Sequence, residues 1–279
     1  MKTNRQIMAI VNLTDDSYFA ESRCGGVEAA LQRIGRLVEE GADIIDIGAC
    51  SSRPGSVPIG PEQEWDRLRP VLEAVKARFP EVRISVDTYW SSVVEKVHGL
   101  IGDFIVNDIS AGEDDPAMLP TVGRLGLEYV AMHKRGTSMD MQYLTDYQDV
   151  VGEITEYFKE FAVRAEKAGV RNWILDPGFG FAKTVEQNYQ MLASLKDIRN
   201  EISLRGSSET WQSPRLLVGV SRKSMIYKPL GLTPEEVLPA TQAVHIVALM
   251  NGADILRVHD VKEAKQTISL FEIIESTSF

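Results

Sequence analysis

Eight short apolar runs, each followed by polar residues, constrain what this chain can fold into more than any other feature. They read IMAIV ahead of Asn12, DIIDIG ahead of Ser51, Ser52 and Arg53, RISV ahead of Asp87, and FIV ahead of Asn107. The second half continues with EYVAM ahead of His133, WIL ahead of Asp176, LLVGV ahead of Ser221, Arg222 and Lys223, and DIL ahead of Arg257 and His259. Apolar strands separated by helical stretches specify a parallel sheet buried on both faces. Polar groups at the carboxyl ends of such strands stand where α/β proteins bind ligands and do chemistry.

Helical spacing of apolar residues predicts helices over 26–40, 61–79, 91–98, 116–125, 147–167, 184–199, 234–250 and 261–274. Pro61 followed by acidic residues, and Gly41 and Gly169 as stops, mark ends of this kind. No Pro-, Gly- or Ser-rich linker divides the chain, and the polar segment 204–214 runs directly into a strand and reads as a loop. The chain is therefore expected to be α/β, a single domain over 1–279. Its 279 residues match the ~250 that a (β/α)8 TIM barrel commonly uses. An open doubly wound sheet is the alternative, but it would gather its ligand groups near one switch point. Here they are spread over all eight runs, as a barrel mouth requires.

Charge narrows the function. Thirty basic residues against 40 acidic ones give a formal −10, which excludes a large nucleic-acid footprint. The first apolar run is interrupted by Asn12 and Asp15 and is too short for a signal peptide or a membrane span. Cys24 and Cys50 have no metal or redox spacing and are expected as free thiols, which fits the cytoplasm. The motifs GxGxxG, GxxxxGK[ST] and HExxH are absent, which removes the commonest nucleotide and zinc readings.

The chemistry concentrates in three places. Asp176 ends a buried run and opens DPGFGFAKT, where a carboxylate could accept paired N–H donors from an aminopyrimidine-type ring. Asp87 and Asn107 offer the same planar recognition from neighbouring strands and are expected to form, with Asp176, a set at consecutive strand ends, with Met132 and Ile109 as apolar walls. Lys223, Arg257 and His259 form a cationic group suited to a leaving phosphate or pyrophosphate. Asn12 adds an oxygen donor for Mg2+, a hard cation that arrives with phosphates. The polar segments 14–26 and 51–60 are long enough to fold over the mouth as lids, with Arg53 presented inward beside the rigid Pro54. His133 is the strand end without an assigned task.

Taken together, NLTDDSYF, DIGACSSRPG, SVDTY, NDIS, MHKRGT, DPGFGFAKT, SRKS and RVHD resemble the dihydropteroate synthase family of pterin-binding barrels, over essentially the whole chain. The resemblance implies condensation of 6-hydroxymethyl-7,8-dihydropterin pyrophosphate with p-aminobenzoate. It implies that Asp87, Asn107, Asp176 and Lys223 hold the pterin, flanked by Met132, Ile109 and Arg257. Arg257, His259 and Asn12 would bind the pyrophosphate with Mg2+ near Asn12, and Ser52, Arg53, Pro54, Phe181 and Ser224 would receive p-aminobenzoate. The catalytic set carried over is Lys223, Arg257, His259 and Asp87, in a homodimer assembled through outer helices. Ala20, Cys50 and Ala182 depart from the family pattern, the first two by removing acids from the lids. Two rivals share the heterocycle set: a methyltetrahydrofolate:corrinoid methyltransferase, which needs no pyrophosphate site, and a non-catalytic pterin-binding protein.

Overall fold

The computed structural model describes residues 5–13, 23–50, 55–57, 59–203 and 213–277, with side chains from 26 onward in the first helix. Each apolar run becomes a strand: β1 (Gln6–Asn12), β2 (Ile44–Gly48), β3 (Arg83–Asp87), β4 (Ile105–Asp108), β5 (Glu128–Met132), β6 (Trp173–Asp176), β7 (Arg215–Val218) and β8 (Ile255–Val258). They pair in sequence order, all parallel, and β8 returns to β1 to close an eight-stranded barrel. Helices α1 (Arg23–Glu39), α2 (Pro61–Arg78), α3 (Ser91–Ile101), α4 (Met118–Leu125) and α5 (Val150–Ala168) follow the first five strands. After β6 come α6 (Val185–Ala193) and α7 (Leu195–Ser203), after β7 come α8 (Ser224–Leu230) and α9 (Leu238–Met250), and α10 (Val261–Thr277) ends the described chain.

Period-two alternation sorts every strand into two faces. Outward residues such as Ile7, Ile45, Val86, Val106, Tyr129, Leu175, Leu216 and Leu256 are buried against the helices in one large core. Each such side chain contributes roughly 1.5–3 kcal/mol by leaving water. Inward residues Met8, Ile44, Ile105, Val130, Ile174, Leu217 and Ile255 fill the barrel axis as a separate apolar layer. Below this layer, Arg83 and Arg215 both donate to Glu128, and Arg215 also donates to Gln6, so charge closes the amino-terminal end. Two residues further along the same strands, Asp46, Asn107, Met132, Asp176 and Arg257 rise above the layer and face the mouth.

Two helical expectations are corrected. The predicted helix 184–199 is two helices, broken at Ser194, whose N–H is shared between the carbonyls of Gln190 and Met191 at 3.2 Å each. The segment before 234 holds a seven-residue helix, α8, that the apolar spacing does not separate. Elsewhere the local signals act as read. Asp149 caps α5 by accepting from Gly152 N–H, and Gly169 ends it in the left-handed region at φ 79°. A reciprocal Thr184–Gln187 capping box opens α6.

Candidate active site

The centre of the mouth is Asp46, a buried carboxylate that neither the strand ends nor the loop motifs single out. Its Oδ1 accepts from Ser85 Oγ at 2.6 Å, and its Oδ2 accepts from Asn107 Nδ2 at 3.1 Å and Arg257 Nε at 2.7 Å. One anion thus orients residues from β3, β4 and β8. Because the Asn107 amide nitrogen faces Asp46, its carbonyl end is left for the mouth. Arg257 also reaches Asp87 through Nη2 at 3.1 Å. Against the cost of burial, Asp46 and Asp87 hold the Arg257 guanidinium firmly charged.

Strand register brings the expected heterocycle readers together. Asp87 lies opposite Asn107, and Met132 lies opposite Asp176. Asp87, Asn107 and Asp176 do not stand on consecutive strands, however: β5 intervenes, and the buried Met132 places a wall between the second and third polar groups. Gly48 makes room for Asp87, since a Cβ there would stand 3.2 Å from the Asp87 Cβ. Burial raises the Asp87 carboxyl, and Asp46, Asp108 and Asp176 add to the rise while Arg257 opposes it. Asp108 faces outward, where it accepts from Tyr129 OH, Ser110 and Gly112 and secures the loop after β4. Ile109 follows it, half-buried.

Asp176 spends Oδ1 on the Gly178 N–H at 2.8 Å. Burial raises its carboxyl, with Lys223 the largest opposing charge. The chain must turn away at once here. Gly178 has φ 70°, and a Cβ on it would come within 2.0 Å of the His133 carbonyl oxygen, so only glycine fits. Lys223 reaches into the same space from the segment after β7. Its amine donates to the Phe179 carbonyl and lies 4.7 Å from the centre of the Phe181 ring. Burial lowers the Lys223 amine to about 8, with Asp176 pulling upward and Arg257 downward.

His259, just past β8, is held by Ser221, whose Oγ is 3.1 Å from its Nδ1 and accepts its backbone N–H at 3.3 Å. Arg222, the other cation of that segment, is not available to a ligand: its Nε and Nη2 grip Asp260 at 2.8 and 2.6 Å. Ser224 is half-buried at the start of α8, and Asn12 ends β1 opposite Gly48. Ser52, Arg53 and Pro54, with Asp15, Ala20 and Glu21, lie outside the described residues. The described part of the second loop is tied to the loop after β5, where Gly55 N–H donates to Ser138 O at 2.8 Å.

Cys50 forms no disulfide among the described residues; it is half-buried, and burial pushes its thiol up. Within electrostatic reach of it stands Glu64 of α2, fully buried. Burial drives the Glu64 carboxyl up to about 7, with Thr88 opposing and Asp87 adding to the rise. A folded-state value above the unfolded 4.5 stabilises the fold at low pH and loses that contribution as pH climbs through about 7. Glu64→Gln is therefore expected to flatten the fall in unfolding free energy between pH 5 and pH 8 by roughly 2–3 kcal/mol, read by denaturant titration at both values. An unchanged slope would place the charge elsewhere.

Comparison with known proteins agrees with this geometry. A family profile described as pterin binding enzyme matches residues 8–259. The chain is 38% identical over 273 residues to the dihydropteroate synthase of Escherichia coli K12, covering 97% of this chain and 91% of that one. A Yersinia pestis dihydropteroate synthase in complex with a sulfonamide drug superposes with a TM-score of 0.87 at 34% identity, covering 99% of this chain and 97% of that one. A Xanthomonas albilineans dihydropteroate synthase with 4-aminobenzoic acid gives 0.86 at 34% identity, over 98% of this chain and 94% of its own. A closed barrel, a mouth lined by Asp87, Asn107, Asp176, Lys223 and Arg257, and likeness along nearly the whole length agree: the chain belongs to the dihydropteroate synthase family of pterin-binding transferases.

Proposed function

We propose that this barrel joins 6-hydroxymethyl-7,8-dihydropterin pyrophosphate to p-aminobenzoate, forming 7,8-dihydropteroate and releasing pyrophosphate. The observation that carries the reading is the pairing of planar hydrogen-bonding groups, Asp87, Asn107 and Asp176, with cations at the same mouth. A ring carrying amino and N–H donors meets Asp176 and Asp87, while the Asn107 carbonyl is held outward by Asp46. Met132 and Ile109 flank the ring, and Arg257, fixed from behind by two carboxylates, covers one side of it.

Catalysis is then mainly electrostatic. The C–O bond between the pterin methylene and pyrophosphate breaks as Arg257, Lys223 and His259 take up charge on the departing anion. The p-aminobenzoate nitrogen forms the new C–N bond, and its proton leaves to solvent. A weakly basic aromatic amine needs no strong base to act as the nucleophile. Phe181 and Ser224, with Ser52, Arg53 and Pro54, would receive the second substrate, and the two loops would exclude water from the electrophilic carbon.

Among the described residues no cluster of three or more His, Cys, Asp or Glu side chains is arranged to hold a metal. A lone amide oxygen from Asn12 suits Mg2+ that arrives bound to pyrophosphate and keeps most of its waters. When bound, the ion neutralises charge on the leaving group. Lys223, Arg257 and His259 at one mouth favour the synthase over a corrinoid methyltransferase, which has no pyrophosphate to expel. Purified protein given pterin pyrophosphate, Mg2+ and p-aminobenzoate should release pyrophosphate. Pterin binding without turnover would overturn the enzyme reading in favour of a binding protein. His259→Ala should weaken pterin pyrophosphate about tenfold more than a pterin lacking pyrophosphate, the scale of one hydrogen bond to an anion. Equal losses in calorimetric titrations would remove His259 from the anion site.

The protein acts, in this reading, as one barrel over 1–279, in the cytoplasm and as a homodimer. No described helix is long and apolar enough to cross a membrane. The dimer is supported by α9 and α10, which pack on each other and leave Val247, Met250, Leu270, Ile273 and Ile274 exposed, Met250 by 67%. Met250→Glu with Ile273→Glu should convert the species seen by light scattering to a monomer; an unaltered mass would place the interface on another face.

A further inference from the structure

The loop between β6 and α6 is held from beneath by a lysine that the proposed chemistry leaves unused. Lys183 is 7% exposed, and its Nζ donates to three acceptors: the carbonyls of Gly178 and Phe181 at 3.0 Å each, and His133 Nδ1 at 3.1 Å. An ammonium has three N–H donors, so all are used, and all by uncharged groups. No carboxylate among the described residues lies within salt-bridge distance of it. A buried cation without a carboxylate partner is costly, so the surroundings have to hold it in place by hydrogen bonds alone. Burial brings its amine down to about 7, against the pull of Asp176 and reinforced by Lys223 and Arg135.

His133 is built to complete this arrangement. It is buried, it packs edge-on against Tyr157 at 4.8 Å, and its backbone N–H donates to the Asp176 carbonyl at 3.1 Å. Burial, then Lys183 and Arg135, hold its imidazole neutral, and because an ammonium can only donate, the Nδ1 that faces Lys183 is the acceptor. The loop above has its carbonyls taken one after another: Gly178 and Phe181 by Lys183, Phe179 by Lys223, and Gly180 by Gln142 Nε2 at 3.4 Å. Phe181, whose carbonyl Lys183 holds, carries the ring that lies over Lys223. Asn188 secures the far side, accepting the Gly180 N–H at 2.7 Å.

We infer that Lys183 and His133 form a positioning pair that clamps the β6–α6 loop and sets the Phe181 ring against Lys223, so that they tune the p-aminobenzoate subsite without touching either substrate. This rests on the dihydropteroate synthase reading of the site. Lys183→Met keeps the length and removes the donors. It should raise the KM for p-aminobenzoate about tenfold, the scale of lost hydrogen bonds to a charged group, while the affinity for pterin pyrophosphate stays within about threefold. In a Phe181→Ala background the same substitution should add little, because the ring it positions is gone.

His133→Leu, which removes the acceptor, should shift the p-aminobenzoate KM in the same selective way. His133→Asn, which keeps an acceptor near the Nδ1 position, should recover most of the wild-type value. These two carry the test should Lys183→Met fail to fold. Equal losses for both substrates, an unchanged KM, or full additivity with Phe181→Ala would overturn the positioning role. Wild-type protein that releases no pyrophosphate would overturn the synthase reading itself, and the inference with it. The wild-type assay therefore separates the two failures.

Discussion

Alanine in place of Asp46 is expected to cost about 3–5 kcal/mol of folding stability and to abolish measurable turnover, although Asp46 need not touch a substrate. Removing one member of a buried charged pair leaves the other uncompensated, which is where a penalty of that size comes from. Arg257 would lose its 2.7 Å acceptor and keep only Asp87, and Asn107 would lose the group that decides which end of its amide faces the mouth. Ser85 Oγ would be left buried without its partner. Asp46→Asn separates the contributions. It keeps the volume and an acceptor for Ser85 but removes the charge that Arg257 needs, so the fold should survive better than the activity. Denaturant unfolding and kcat/KM measured on both variants check this. Wild-type kinetics in Asp46→Asn would show that Arg257 is held well enough by Asp87 alone.

The second large effect is expected at Asp176. Asp176→Ala should weaken pterin binding at least a hundredfold, from the loss of about 3 kcal/mol carried by charge-assisted hydrogen bonds to ring donors. Inhibition by free pyrophosphate should change by no more than about threefold at pH 7, because the anion-binding groups stand on other strands. A further consequence separates this variant from simple damage to the pocket. Asp176 is the charge that supports the Lys223 ammonium against burial, which already brings it down to about 8. Without Asp176 the amine falls further, so residual activity should begin to decline at a lower pH than in the wild type, whose own loss of the cation sets in as pH rises through about 8. Tight pterin binding in calorimetry would show that the ring is read by other groups.

Much of this molecule is legible in its residues alone. Eight strands are readable because parallel strands buried on both faces are short apolar runs, and their polar ends are readable because each interrupts such a run. Asp46 escapes for the converse reason: it sits inside a run, as one letter of a motif, where an isolated aspartate offers no local reading. Alternation is the available signal, since Asp46 follows Ile44 by two residues and must share its inward face with the apolar layer. Lys183 is hidden differently. Its burial depends on a turn built from Gly178, Gly180 and a left-handed Ala182 at φ 50°, which bring its amine back beneath its own loop. Spacing along the chain does not report that. The break at Ser194 is equally silent, because both helices continue one apolar periodicity and the bend is set by what they pack against.

The apolar layer across the barrel axis has a kinetic corollary. Met8, Ile44, Ile105, Val130, Ile174, Leu217 and Ile255 are all sealed from solvent, with charged groups closing the end beneath them. The barrel axis is therefore closed to ligands, and whatever binds at the mouth arrives and departs from the side of the strands' carboxyl ends. Entry of substrate and release of product then draw on one and the same approach, whatever their affinities.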